Sequence, residues 1–81
     1  MTVHFTRAAR RDLIGLRATE AKAVLDAIEM FVETGIGDVK KLRDYDPPTW
    51  RLRVGRLRVL FRREASAMIV DRIVDRRDAY R

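Results

Sequence analysis

The sequence predicts an α+β domain of order β-α-α-β-β-β, and three observations carry that expectation. Apolar residues recur at helical spacing through the first half, as in Ala21, Val24, Leu25, Ile28, Phe31 and Val32. From Trp50 to Arg63 the pattern changes to strict alternation, with Trp50, Leu52 and Val54 set against Arg51 and Arg53, and Leu57, Val59 and Phe61 set against Arg56, Arg58 and Arg62. Gly55-Arg56 divides that stretch where a two-residue hairpin loop belongs.

The elements follow in order. Val3-His4-Phe5 is a short opening strand, and Thr6 is an N-cap for a helix running to about Leu16, with Ala9, Leu13 and Leu16 at i, i+4 and i+7. Phe5, just before the cap, is placed to staple the start of that helix. A second helix spans about Thr19 to Thr34 and ends at Gly35, the residue type best suited to a C′ position. The short link makes the pair an αα-hairpin. Gly35 to Asp38 is a loop, Lys40-Lys41-Leu42-Arg43 reads as a turn or a strand lead-in, and Asp46-Pro47-Pro48 stops regular structure before Trp50.

In the arginine hairpin, glycine in first place suits a type II′ turn. The register then puts Val54 opposite Leu57, Arg53 opposite Arg58 and Leu52 opposite Val59. Two guanidinium groups face each other across the strands. Like charges so placed weaken a sheet, so the arrangement points to a use for the field, either a bound phosphate or an acidic protein partner. Trp50 sits in the apolar row and reads as core or rim packing, and His4 reads as structural. Ala67 to Val74 is a last strand antiparallel to its predecessor, interrupted by Asp71 and Arg72.

Composition narrows the function classes. Eighty-one residues make a single domain over 1–81, and 47% hydrophobic content argues against disorder. Without cysteine there is neither a disulfide framework nor a thiolate metal site, and one histidine does not build a zinc centre alone. No cofactor and no metal are expected. No apolar run approaches the ~20 residues of a membrane span and no signal-peptide pattern opens the chain, so a cytoplasmic protein is expected. The net charge of +6 is uneven: residues 1–39 hold five Lys or Arg against six Asp or Glu, and residues 40–81 hold thirteen against six, so the halves carry −1 and +7. Such asymmetry points to a polyanion or an acidic protein.

Phe5-Thr6-x-x-Ala9-x-x-Asp12-Leu13, Lys41-Leu42-Arg43, Trp50-Arg-Leu-Arg-Val-Gly-x-x-Arg58-Val-Leu-Phe61 and the closing Asp75-Arg-Arg-Asp-Ala-Tyr80, in that order, resemble the RelE/ParE superfamily of bacterial toxin–antitoxin toxins over essentially the whole chain. The resemblance implies two helices packed on a small twisted, mainly antiparallel sheet. It implies a ribosome-dependent messenger RNA endonuclease of the RelE-like branch, neutralised by a cognate antitoxin. That chemistry is metal-independent, with the RNA 2′-hydroxyl as nucleophile, and needs a base, cations for the crowded phosphate and an acid for the 5′ oxygen. By position, Arg51 and Arg53 match the family's basic pair on the first hairpin strand, and Arg58 matches the arginine on the scissile phosphate. Arg76 or Arg77 matches a charge-stabilising or acid residue, and Tyr80 matches the aromatic beside the nucleotide. Many relatives carry histidine where this chain has Asp75, and some carry lysine where it has Arg53. Arginine is a poor base, so Asp75 is the expected general base. Lys40, Lys41 and Arg43 are expected to make secondary contacts with RNA backbone. The alternative implied by the same resemblance is a ParE-like toxin that binds and poisons DNA gyrase without chemistry of its own.

Overall fold

The computed structural model describes residues 1–78. Strand β1 (Thr2–Phe5) passes through Thr6 into helix α1 (Arg7–Ile14), and helix α2 (Ala18–Thr34) follows. Strands β2 (Val39–Lys41), β3 (Trp50–Val54), β4 (Leu57–Glu64) and β5 (Ala67–Asp75) complete the chain, with a 3-10 turn at Arg76–Asp78. Local chemistry fixes the helix ends. The Thr6 hydroxyl accepts from the Ala9 N–H at 3.1 Å and donates to the Asp71 carbonyl at 2.9 Å, so one side chain caps α1 and ties it to the last strand. Gly35 closes α2 with φ of +77°, and its N–H donates to the Phe31 carbonyl.

The sheet order is β1-β5-β4-β3-β2, antiparallel throughout except for the β1–β5 pair, which is parallel. The hairpin register is the expected one, with Val54 opposite Leu57, Arg53 opposite Arg58 and Leu52 opposite Val59. The chain adds one strand to the expected order: Val39–Lys41 pairs with β3 as a short edge strand. Three residues that include two lysines carry no periodic signal, and tertiary pairing makes them a strand.

Paired residues share a face of the sheet. Leu52, Val59 and Ile73 form one row on the core side, and Trp50, Phe61 and Val70 form the next. With Ala9 of α1 and Val24, Ile28 and Phe31 of α2 these residues, apart from the partly buried Trp50 that packs against them, belong to one buried cluster, in which each fully buried side chain contributes roughly 1.5–3 kcal/mol. Phe61, at its centre, packs against Phe31 at 5.6 Å and Trp50 at 6.2 Å between ring centroids. Among the described residues no helix is long and apolar enough to cross a membrane.

One irregularity decides where the last strand points its side chains. Leu60 pairs with Arg72 but Phe61 pairs with Val70, so Asp71 is an extra residue on β5. Beyond it the alternation changes parity. β1 covers β5 only as far as Val70, and past that point α1 replaces it: the Asp12 carboxylate accepts from the Ile73 N–H at 2.9 Å and from the Arg72 guanidinium at 2.7 and 3.2 Å. A helix side chain thus satisfies an edge that would otherwise stand open.

Candidate functional site

The face of the sheet away from the helices carries two rows of charge. Across the first, Arg53 lies opposite Arg58, which lies opposite Val74; across the second, Lys40, Arg51, Leu60 and Arg72 follow one another. The hairpin brings Arg51, Arg53 and Arg58 together as the sequence predicts, but two of them are sunk in the surface. Arg58 is 4% exposed, and the Arg51 side chain 13%.

Their partners are few. Among the described residues, Arg58 Nη1 reaches only the carbonyls of Gly55 and Leu57, at 3.5 and 3.4 Å, and its Nε has no hydrogen-bond partner. Among the described residues no carboxylate lies within 4.0 Å of it. Arg51 donates through Nη2 to Asp38 at 3.3 Å, and its Nε is likewise buried and unpartnered. Arg53 stands more exposed, 4.0 Å from the second Asp38 oxygen. Leaving buried guanidinium donors unmatched is unfavourable, and a phosphate is the ligand whose charge and lone pairs match them.

Two other arginines on the sheet are paired with carboxylates. Arg62 clasps Asp71 with 2.7 and 2.9 Å bonds, and Arg72 clasps Asp12; each hydrogen bond raises the guanidinium pKa above its ordinary value. A groove of about 450 Å³ lies between this end of the sheet and the loop before β3, lined by Tyr45, Pro47, Leu60, Arg62 and Asp71 among others.

The remaining predicted residues scatter. Asp75 pairs with Leu57 and so points to the helix side of the sheet, away from Arg58. Strict alternation would have put it on the arginine face, and the extra residue at Asp71 reverses it. There it accepts from the Arg77 N–H at 3.1 Å and from Arg56 at 2.6 Å, while Arg56 also donates to Glu20 of α2. The Arg77 backbone N–H, against the opposing effect of burial and with lesser help from the Arg56 and Arg77 charges, holds the Asp75 carboxyl below the usual range. Arg76 and Arg77 sit exposed in the 3-10 turn, with Arg77 Nε 3.7 Å from Asp75. Tyr80 lies outside the described residues. Lys40 joins the arginine face, whereas Lys41 lies 5.7 Å over the Trp50 ring, with Arg63 at 5.4 Å from the same ring. Arg43 borders a separate depression with Lys40, Lys41 and Tyr45.

Asp38 was not singled out from sequence. It becomes visible once β2 is known: the Arg53 N–H donates to its carbonyl at 2.9 Å, which extends the β2–β3 pairing and sets its side chain in the row of Arg53 and Arg58.

The family model described as the ParE toxin of the type II toxin–antitoxin system parDE matches residues 3–80. Three solved structures are similar. A chain of the RelB-RelE antitoxin–toxin complex of Methanococcus jannaschii aligns with a TM-score of 0.77 at 22% identity, over 95% of this chain and 94% of that one. A chain of the RelE-RelB complex of Pyrococcus horikoshii gives 0.77 at 18% identity, over 96% and 97%. A chain of the toxin–antitoxin complex RelBE2 of Mycobacterium tuberculosis gives 0.64 at 29% identity, over 93% and 96%. No protein of curated function matches the sequence.

Proposed function

The chain belongs to the ParE toxin family of type II toxin–antitoxin systems, within the RelE/ParE superfamily, and from that premise we propose that it is a ribosome-dependent messenger RNA endonuclease. The observation that carries this reading is Arg58: a guanidinium 4% exposed, without a carboxylate among the described residues and beside Arg51 and Arg53. The three cations bind the phosphate flanking the scissile bond and neutralise the charge that grows as the RNA 2′-hydroxyl attacks. Lys40 extends the basic track onto the edge strand, Arg43 follows in the turn beyond it, and Arg76 and Arg77 add charge from the 3-10 turn.

A cognate antitoxin is the proposed inhibitory partner, since the similar structures are antitoxin–toxin complexes. An acidic segment that orders on binding and covers Arg58 silences the toxin.

A second reading, a toxin that binds DNA gyrase and has no chemistry of its own, is favoured by the position of Asp75 on the side of the sheet opposite Arg58. Primer-extension mapping of a defined message on stalled ribosomes separates the two. New 5′ ends inside the A-site codon, absent without ribosomes and reduced about 10²–10³-fold by Arg58→Ala, support the nuclease. Intact message with folded toxin, together with stalled gyrase–DNA complexes, supports the other.

A further inference from the structure

Metal-free cleavage through a 2′-hydroxyl needs a proton acceptor beside the phosphate, and no arginine serves as one. Asp75 faces the other way. On the arginine face, Asp71 is held by two bonds from Arg62, and Glu64 accepts from the same guanidinium at 2.6 Å. Asp38 is different: its two oxygens lie 3.3 Å from Arg51 and 4.0 Å from Arg53, and its side chain is 57% exposed. These contacts are long and single beside the clasp at Asp71, so lone pairs remain directed to solvent. The bond from the Arg53 N–H to the Asp38 carbonyl places Asp38 at the end of the Arg53–Arg58 row, beside the position where those arginines would bind a phosphate.

We infer that Asp38 is the general base of the cleavage, an assignment that rests on the nuclease reading. The 2′-hydroxyl proton passes to an Asp38 carboxylate oxygen as the 2′ oxygen forms its bond to phosphorus. The bond from phosphorus to the 5′ oxygen breaks, and that oxygen takes a proton from a solvent water. Asp38 returns its proton to the hydroxide so formed, which leaves a 2′,3′-cyclic phosphate, a 5′-hydroxyl and an unchanged enzyme. Arg51, Arg53 and Arg58 carry the charge of the pentavalent phosphorus throughout.

The test is single-turnover cleavage of a defined message on programmed ribosomes over a pH series, with ribosome co-sedimentation measured in parallel. Wild type, Asp38→Asn and Asp38→Glu are compared, each checked for folding by circular dichroism. Asparagine keeps the shape and a hydrogen-bond acceptor for Arg51 but does not take the proton. Asp38→Asn is expected to cut about 10²–10⁴-fold more slowly, to sediment with ribosomes like wild type and to lose the fall in rate on acidification expected of the wild type. Asp38→Glu restores part of the rate. An Asp38→Asn protein within tenfold of wild type, one that loses ribosome binding in step with activity, or one that keeps the acid limb overturns the assignment. Failure of the wild type to cut overturns the nuclease reading itself, and the role of Asp38 with it.

Discussion

Arg62 and Arg72, beside the bulge of β5, and Arg51 and Arg58, on the β3–β4 hairpin, are the same residue type on the same sheet, treated in opposite ways. The first two are each clasped by a carboxylate through two short bonds. The second two are more deeply buried and keep an unpartnered Nε. Paired charges at the bulge hold α1 and β4 to the last strand, so they act as structure. At the hairpin the Arg58 charge and the two unmatched Nε donors weaken the fold they sit in, a cost that fits the phosphate ligand proposed above.

That contrast can be broken experimentally, and the largest effect is expected at the hairpin. Arg58→Met removes a buried unpaired charge while filling much of its volume. Message cleavage should fall by about 10²–10³-fold, while the urea midpoint stays equal to or above that of wild type. A clear loss of stability would put Arg58 among the structural arginines. Next comes Asp12→Ala, which strips acceptors from both Ile73 N–H and Arg72. It should cost about 1–3 kcal/mol by denaturant titration, with cleavage per folded molecule unchanged.

Arg62→Ala is expected to do less, about 0.5–1 kcal/mol, because the Arg62–Asp71 pair is partly solvated. The smallest effect belongs to Asp75. Its carboxyl pKa is depressed in the folded protein, chiefly by the Arg77 N–H. It therefore contributes stability above the unfolded carboxylate pKa and loses it as pH falls through the folded value. Asp75→Asn should flatten that acid-side loss in thermal melts taken from neutral pH downward and leave cleavage on ribosomes unchanged, since Asp75 faces away from Arg58.

The parts of the molecule legible in the sequence are those set by neighbours along the chain. The Thr6 cap, the α2 stripe with its Gly35 stop and the hairpin register each depend on a few adjacent residues, and the structure repeats them. Arg58 was legible as a site candidate for the same reason, through its place opposite Arg53. What depended on distant partners was not. β2 exists because β3 lies beside it, and Asp38 joins the arginines only through that pairing. The side taken by Asp75 turns on a single extra residue four positions earlier, which periodicity alone does not reveal.

The parallel seam between β1 and β5 has a consequence for how the toxin is made. Thr2–Phe5 finds its partner only in Ala67–Val70, and Thr6 and Asp12 bond to residues 65, 60 and 61 positions further on. Contacts of such span close late in folding. A chain emerging from the ribosome thus carries α1 and α2 long before it holds the strand that seats them, and Arg58 lacks its Val74 neighbour until β5 is made. The arginine face is therefore complete only once synthesis has passed Asp75: a chain that stops before Ala67 lacks both the partner of β1 and the strand beside Arg58.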